Sequence, residues 1–198
     1  MDKTGIIILA AGPSSRLGKP KQLLVYKGKT LLENIVSEAR KANLDPAVVV
    51  TGSGSEAISS ILDNKPVDIV YNERWPSVMA SGIVAGLSKI LTLNPKTGAV
   101  IIAVCDQPFV SAELFGQLMK IKAEQNKGIV GCAYAGIIGT PVLFGKIYFE
   151  KLLLLQGEEG AKKILKTQGS DLASVNFDKG SIDIDTHEDY DQLLLRTR

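Results

Sequence analysis

The sequence predicts an α/β domain of three layers, a mostly parallel central sheet with helices on both faces. Three observations carry that expectation. Short β-branched runs alternate with longer amphipathic segments along the whole chain, the pattern of repeated strand–helix units. The strand-like runs, such as Ile6 to Ala10, are apolar throughout, as they must be when both faces of a sheet are covered. Helix-start patterns stand at Thr30-Leu-Leu-Glu33 and Thr186-His-Glu-Asp189.

Ile6 to Ala10 is the first strand. Behind the Thr30 cap, Leu31, Ile35, Val36, Ala39 and Ala42 repeat at helical spacing. Ala47 to Thr51 reads as the next strand, followed by a turn at Gly52-Ser53-Gly54 and a short helix through Ile58, Ile61 and Leu62. Val67 to Tyr71 is a third strand, and Met79 to Leu91 a helix with Ile83, Leu87 and Ile90 on one face. Ala99 to Val104 is a buried strand ending at Cys105-Asp106, before a helix over Ser111 to Gln125 and a strand over Ile129 to Ala133. Gly136 and Gly139 predict a turn before a short strand at Val142 to Phe144. Helical stretches follow near Ile147 to Leu155 and Ala161 to Lys166, with Leu172 to Val175 and Ile182 to Ile184 as further strand candidates. With no internal repeat, low-complexity tract or long linker, one domain over residues 1–198 is expected.

Composition narrows the function. The chain of 198 residues is large enough to bury about 70% of its unfolded surface, so it needs no disulfides or structural metal to fold. Apolar residues make up 45% and charged residues 22%, and the net charge of +2 is spread without a basic stripe, which argues against nucleic acid as a partner. No apolar run reaches the roughly 18 residues of a membrane span, and no signal-peptide pattern opens the chain. Cys105 and Cys132 lie in apolar runs, too few for a disulfide framework, so a reducing cytoplasm is the expected setting.

Ligands of open α/β sheets bind beyond the carboxyl ends of the strands. That rule nominates three places. The first is the loop after strand one, where small residues (Ala10, Ala11, Gly12) let a ligand approach the backbone and Arg16, Lys19 and Lys21 follow. Main-chain amides with convergent cations suit a triphosphate, the alternative being a solvated surface turn. Neither G-x-x-x-x-G-K-[ST] nor G-x-G-x-x-G is present, since Gly18-Lys19 is followed by Pro20. The second place is Cys105-Asp106-Gln107-Pro108, where Asp106 is positioned to hold a divalent cation or to cap the next helix, although Ser111 is the better cap. The third is Asp183-Ile-Asp185, two carboxylates on one face of a predicted strand. Asp185 is nearer its end, as a ligand or as a cap competing with Thr186.

Together these motifs resemble the molybdenum cofactor nucleotidyltransferases, within the wider glycosyltransferase-A-like nucleotidyltransferases, and most of all their cytidylyltransferase branch. The similarity runs almost end to end. It includes L-A-A-G-x-S-x-R-x-G at Leu9 to Gly18 with Lys21, Asn72, S-x-x-x-G-L at Ser81 to Leu87, Cys-Asp-Gln-Pro at 105 to 108, Gly139-Thr-Pro-Val-Leu-Phe144, Gly157-Glu-Glu-Gly-Ala161, and Asp183-Ile-Asp-Thr-His-Glu-Asp189. The resemblance implies a Rossmann-like nucleotidyltransferase domain that moves CMP from CTP to the terminal phosphate of molybdopterin or the molybdenum cofactor, releasing pyrophosphate. It implies that Ala10, Ala11, Gly12, Arg16 and Lys21 contact the nucleotide, that Ser81 and Gly82 lie by the base or ribose, and that Asp106 and Asp185 bind Mg²⁺, with Mn²⁺ as a substitute. Arg16, Lys21 and Asp106 are then the catalytic set. An alanine at the position of Ala11 accompanies CTP use, and a second glycine accompanies GTP use. The partners implied are the two substrates and a recipient molybdoenzyme or its maturation chaperone. Two departures stand out: the family's Gly-His-Pro is Gly139-Thr140-Pro141 here, and its Thr-Pro-Glu-Asp is Thr186-His187-Glu188-Asp189. The rival readings are another acceptor (GTP with molybdopterin, or a sugar 1-phosphate) and a cofactor carrier without catalysis.

Overall fold

Ile6, Ile7 and Ile8 are fully buried, and their strand, β1 (Thr4–Leu9), is an interior strand of a seven-stranded sheet in the computed structural model. The structure describes residues 3–12, 14, 16–75, 79–157 and 160–196. After β1 come a small hairpin of β2 (Val25–Tyr26) and β3 (Lys29–Thr30), helix α1 (Leu31–Lys41), β4 (Ala47–Thr51), α2 (Ser55–Leu62), β5 (Asp68–Tyr71) and α3 (Met79–Leu93). Then follow β6 (Ala99–Val104), α4 (Ala112–Gln125), β7 (Ile129–Tyr134), β8 (Ile137–Gly145), α5 (Phe149–Leu153), α6 (Lys162–Thr167), β9 (Leu172–Asn176) and α7 (His187–Leu195).

The sheet order is β5-β4-β1-β6-β8-β7-β9. Only β8 runs against its neighbours; the pairs β1–β4, β1–β6, β4–β5 and β7–β9 are parallel. The chain steps outward from β1 to β4 and β5, then returns to β6 on the other side of β1. Strand order therefore reverses at β1, and a ligand crevice opens beyond the carboxyl ends at such a point. Leu9 stands opposite both Val50 and Val104, so residues 10–12, Gly52 and Cys105-Asp106 emerge together at this edge.

Alternation along the strands builds two cores. Ile6 and Ile8 join α1, α2 and α4 on one face through Leu32, Ile35, Ile58 and Phe115. Ile7 joins α3 and α5 on the other through Ile83, Leu87, Ile90 and Leu152. Both Thr30 and Thr186 form complete capping boxes, and the Ser111 hydroxyl accepts the Leu114 N–H at the start of α4, so Asp106 is free of that duty.

Two expectations need correction. Ile182 to Ile184 is not a strand: the segment pairs with no strand of the sheet, and the Ile184 N–H bonds the Asp106 carbonyl at 3.1 Å instead. The turn before β8 lies at Ala135-Gly136, both in left-handed backbone, rather than across Gly136 to Gly139; this two-residue turn joins Tyr134 to Ile137 and lets β8 run from Ile137.

Asp171 fastens the far edge. Its carboxylate accepts from the Tyr148 hydroxyl at 2.6 Å and the Gly128 N–H at 2.8 Å. A Cβ at Gly128 would overlap that carboxylate and the Tyr148 ring, so a residue without a side chain is required there. The Tyr148 bond, followed by the Gly128 bond, holds the Asp171 carboxyl below the usual carboxylate range. A depressed folded pKa stabilises above the unfolded value near ~4 and ceases to do so as pH falls through the folded value. Asp171→Asn is therefore expected to cost about 1 kcal/mol at neutral pH, with the gap to wild type closing below pH ~4 in urea titrations. A gap independent of pH would exclude the carboxylate as its source.

Candidate active site

The loop after β1 is held from beneath. Leu17 and Leu24 are buried with Tyr26, Leu31, Ile184 and Leu193, a small apolar cluster that fastens the loop to the last segment of the chain. The Ser14 hydroxyl accepts the Lys21 N–H at 2.7 Å. Gln22, only 1% exposed, donates its amide to the carbonyl of Ala10 at 2.7 Å and more distantly to that of Gly12. With these carbonyls engaged inward, the N–H groups of Ala11 and Gly12 have no partner among the described residues. Such unengaged amides can receive phosphate oxygens. Pro13 and Ser15 of the loop lie outside the described residues.

Lys21 joins the three places the sequence nominated. Its ammonium lies 2.5 Å from Asp106 Oδ2 and 2.7 Å from Asp185 Oδ1, and Arg16 reaches the other Asp185 oxygen at 3.5 Å. The Ile184–Asp106 main-chain bond brings Asp185 to this point although no strand carries it. Burial by itself would lower the Lys21 pKa, but the Asp106 carboxylate, assisted by Asp185, overcomes it and holds the ammonium well above its usual range. The side chains of Lys21 and Asp106 are only 13% and 17% exposed, whereas Arg16 is 69% exposed and free to reorient.

This donor set fits a hard divalent cation. Asp106 and Asp185 converge on one positive charge, and Asp106 Oδ1 is buried without a hydrogen-bond partner among the described residues. Mg²⁺ commonly binds through one or two carboxylates completed by phosphate oxygens and water. No group of three or more His, Cys, Asp or Glu residues suited to a metal occurs among the described residues, so Asp106 and Asp185 are the pair to consider.

On the β4 side, Asn72 donates to the Ser81 hydroxyl at 2.8 Å, and both side chains are buried. Gly82 faces Leu9 and Val50, where a Cβ would lie 3.3 Å from Leu9 Cδ2. On the β8 side a cleft of about 440 Å³ opens from Asp106. Its walls include Leu9, Ile83, Val104 and Leu165, with Thr140, Tyr134 and Lys162 among its polar groups. Gln107 is buried at its margin and donates to the Gly180 carbonyl at 2.8 Å, with Tyr134 Oη at 3.4 Å. Asp183 lines this cleft and, unlike Asp185, forms no ion pair with Lys21. Glu158 and Glu159 lie outside the described residues; Ala161 and Lys162 just beyond them reach the cleft. His187 is exposed at the start of α7.

Sequence reasoning assigned no role to Ser14, Gln22 or Trp75. Gln22 left one faint trace, a polar residue directly before the Leu23-Leu24 pair, but only the folded loop shows why it is buried.

Comparison with known proteins identifies the family and the fold. The MobA-like NTP transferase domain family matches residues 6–173. Nicotine blue oxidoreductase from Paenarthrobacter nicotinovorans is 34% identical over 114 residues, covering 57% of this chain and 54% of that protein. The chain thus spans about half the length of that curated relative. The solved structure of Rv0371c from Mycobacterium tuberculosis H37Rv is 28% identical with a TM-score of 0.84 over 98% of both chains. The same protein has also been solved in complex with manganese. Molybdopterin-guanine dinucleotide biosynthesis protein A from Archaeoglobus fulgidus shares the fold alone, at 16% identity and a TM-score of 0.71 over 98% of this chain and 100% of that one. On the match over residues 6–173, this chain belongs to the MobA-like NTP transferase domain family.

Proposed function

We propose that this chain transfers CMP from CTP to the terminal phosphate of molybdopterin or the molybdenum cofactor, giving the cytosine dinucleotide form and pyrophosphate. The observation that carries the reading is Lys21 bridging Asp106 and Asp185 beside the amides of Ala11 and Gly12, which have no partner among the described residues. An acceptor phosphate is already anionic, so no general base is needed, and catalysis reduces to positioning and charge neutralisation. The Ala11 and Gly12 amides receive triphosphate oxygens. Lys21 can pass from the carboxylates to a phosphate oxygen, and exposed Arg16 can turn to the departing pyrophosphate. Ser81 and Gly82 border the base or ribose. Asp106 and Asp185 would hold Mg²⁺ or Mn²⁺, which supplies Lewis-acid neutralisation of phosphate charge, and the manganese complex of Rv0371c supports a divalent ion here. The cleft beside Asp106 receives the acceptor. A recipient molybdoenzyme or its maturation chaperone would then collect the product.

Ala11 is the basis for preferring CTP. Its methyl group limits how closely a base edge approaches the backbone. Incubation with CTP, Mg²⁺ and molybdopterin is expected to give a product whose mass is the acceptor plus CMP less one water, and Ala11→Gly is expected to raise the GTP:CTP rate ratio at least about tenfold. Products with GTP but none with CTP in wild type would remove the CTP assignment. The name of the 34%-identical relative supports a second reading, an oxidoreductase on the same fold. That enzyme would consume a redox partner and release no pyrophosphate.

A further inference from the structure

Between the carboxyl ends of β1 and β4, Gly52 is covered by the side chain of Trp75. A Cβ at residue 52 would overlap Trp75 Cβ and Cγ and would stand 3.0 Å from the Ala11 methyl carbon. The indole is therefore seated directly on the backbone that follows β4, next to Ala11 in the loop that follows β1. Its place is set by Asn72. The Asn72 side-chain carbonyl accepts the Arg74 N–H at 3.2 Å, its main-chain carbonyl accepts the Trp75 N–H at 3.1 Å, and its amide donates to Ser81 at 2.8 Å. Asn72 is buried, so this turn is fixed from inside the protein. Trp75 itself is only partly buried, and neither apolar core includes it. A large aromatic ring held on a glycine at the rim of a crevice is suited to stack on a ligand, at little entropic cost because its support is rigid.

We propose that Trp75 is an affinity-determining wall of the nucleotide site, stacking on the base while Ala11 meets the base edge, with Asn72 as its positioning residue. The inference rests on reading this crevice as the nucleotide site. Stacking accepts any base face, so Trp75 sets affinity, and the choice among bases falls to Ala11. Gly52 is part of the same device, since any side chain there displaces the ring.

Trp75 is the chain's single tryptophan, so its fluorescence reports on the site without labelling. Titrating the full-length chain with CTP and Mg²⁺ is expected to change that emission saturably, at the concentration where equilibrium dialysis records binding. Trp75→Leu is expected to weaken CTP binding at least about fivefold and to raise KM more than it lowers kcat, while Trp75→Phe recovers most of the loss. A merely structural role would not be rescued by ring character in this way. CTP bound with unchanged emission, or bound equally well by Trp75→Leu, overturns the wall while leaving nucleotidyl transfer intact. Failure of any nucleoside triphosphate to bind overturns both.

Discussion

Asp106→Ala is expected to reduce nucleotidyl transfer below detection, a loss of at least about a thousandfold or ~4 kcal/mol in the barrier. Asp106 is the less exposed of the two converging carboxylates, and its Oδ1 is buried without a partner among the described residues. Its removal halves the oxygen set that faces the triphosphate. The fold should survive, because the Ile184 N–H bonds the main-chain carbonyl of residue 106 and not its carboxylate. Lys21 keeps Asp185 as a partner. Asp106→Asn makes the sharper control: it preserves shape and removes charge, and it should be equally inactive. An active Asp106→Asn variant would show that the negative charge is dispensable.

Lys21→Ala is expected to lower turnover at least tenfold, on the order of 1.4 kcal/mol, with the loss shared between kcat and the KM for nucleotide. Lys21 serves two roles in the structure. It neutralises Asp106 and Asp185, and it stands where a triphosphate arriving over Ala11 and Gly12 would meet a cation. Without it, the carboxylates attract a divalent cation at least as strongly as before, while the triphosphate loses a positive contact. Metal binding to the free chain should thus be maintained or tightened in Lys21→Ala while nucleotide binding weakens. Equal weakening of both would mean that Lys21 simply holds the loop in shape.

Much of the scaffold was legible because its signals are local. β1, β4 and β6 are uninterrupted apolar runs, and only strands covered on both faces can afford that. The Thr30 and Thr186 capping boxes formed where the sequence put them. Features decided by tertiary partners were not legible. Ile182 to Ile184 has a strand-like composition, yet Ile184 is buried against Leu17 and Leu193 and its backbone pairs with a loop carbonyl. Gln22 looks like an ordinary polar residue until the loop folds over it and presents two carbonyls. The site shows the same division. Asp106, Asp185 and Lys21 could each be nominated from their places near predicted strand ends. The single ammonium bridging both carboxylates follows from residues 85 and 164 positions apart in the chain, a separation no local pattern encodes.

Pyrophosphate release is the most direct measurement of nucleotidyl transfer at this site, recorded for CTP with and without molybdopterin, with and without Mg²⁺. Release that requires both the acceptor and the divalent cation, and that disappears in Asp106→Ala, is the expected result. An acceptor consumed or altered without pyrophosphate, or release undiminished by chelation of the metal, contradicts transfer through Lys21, Asp106 and Asp185.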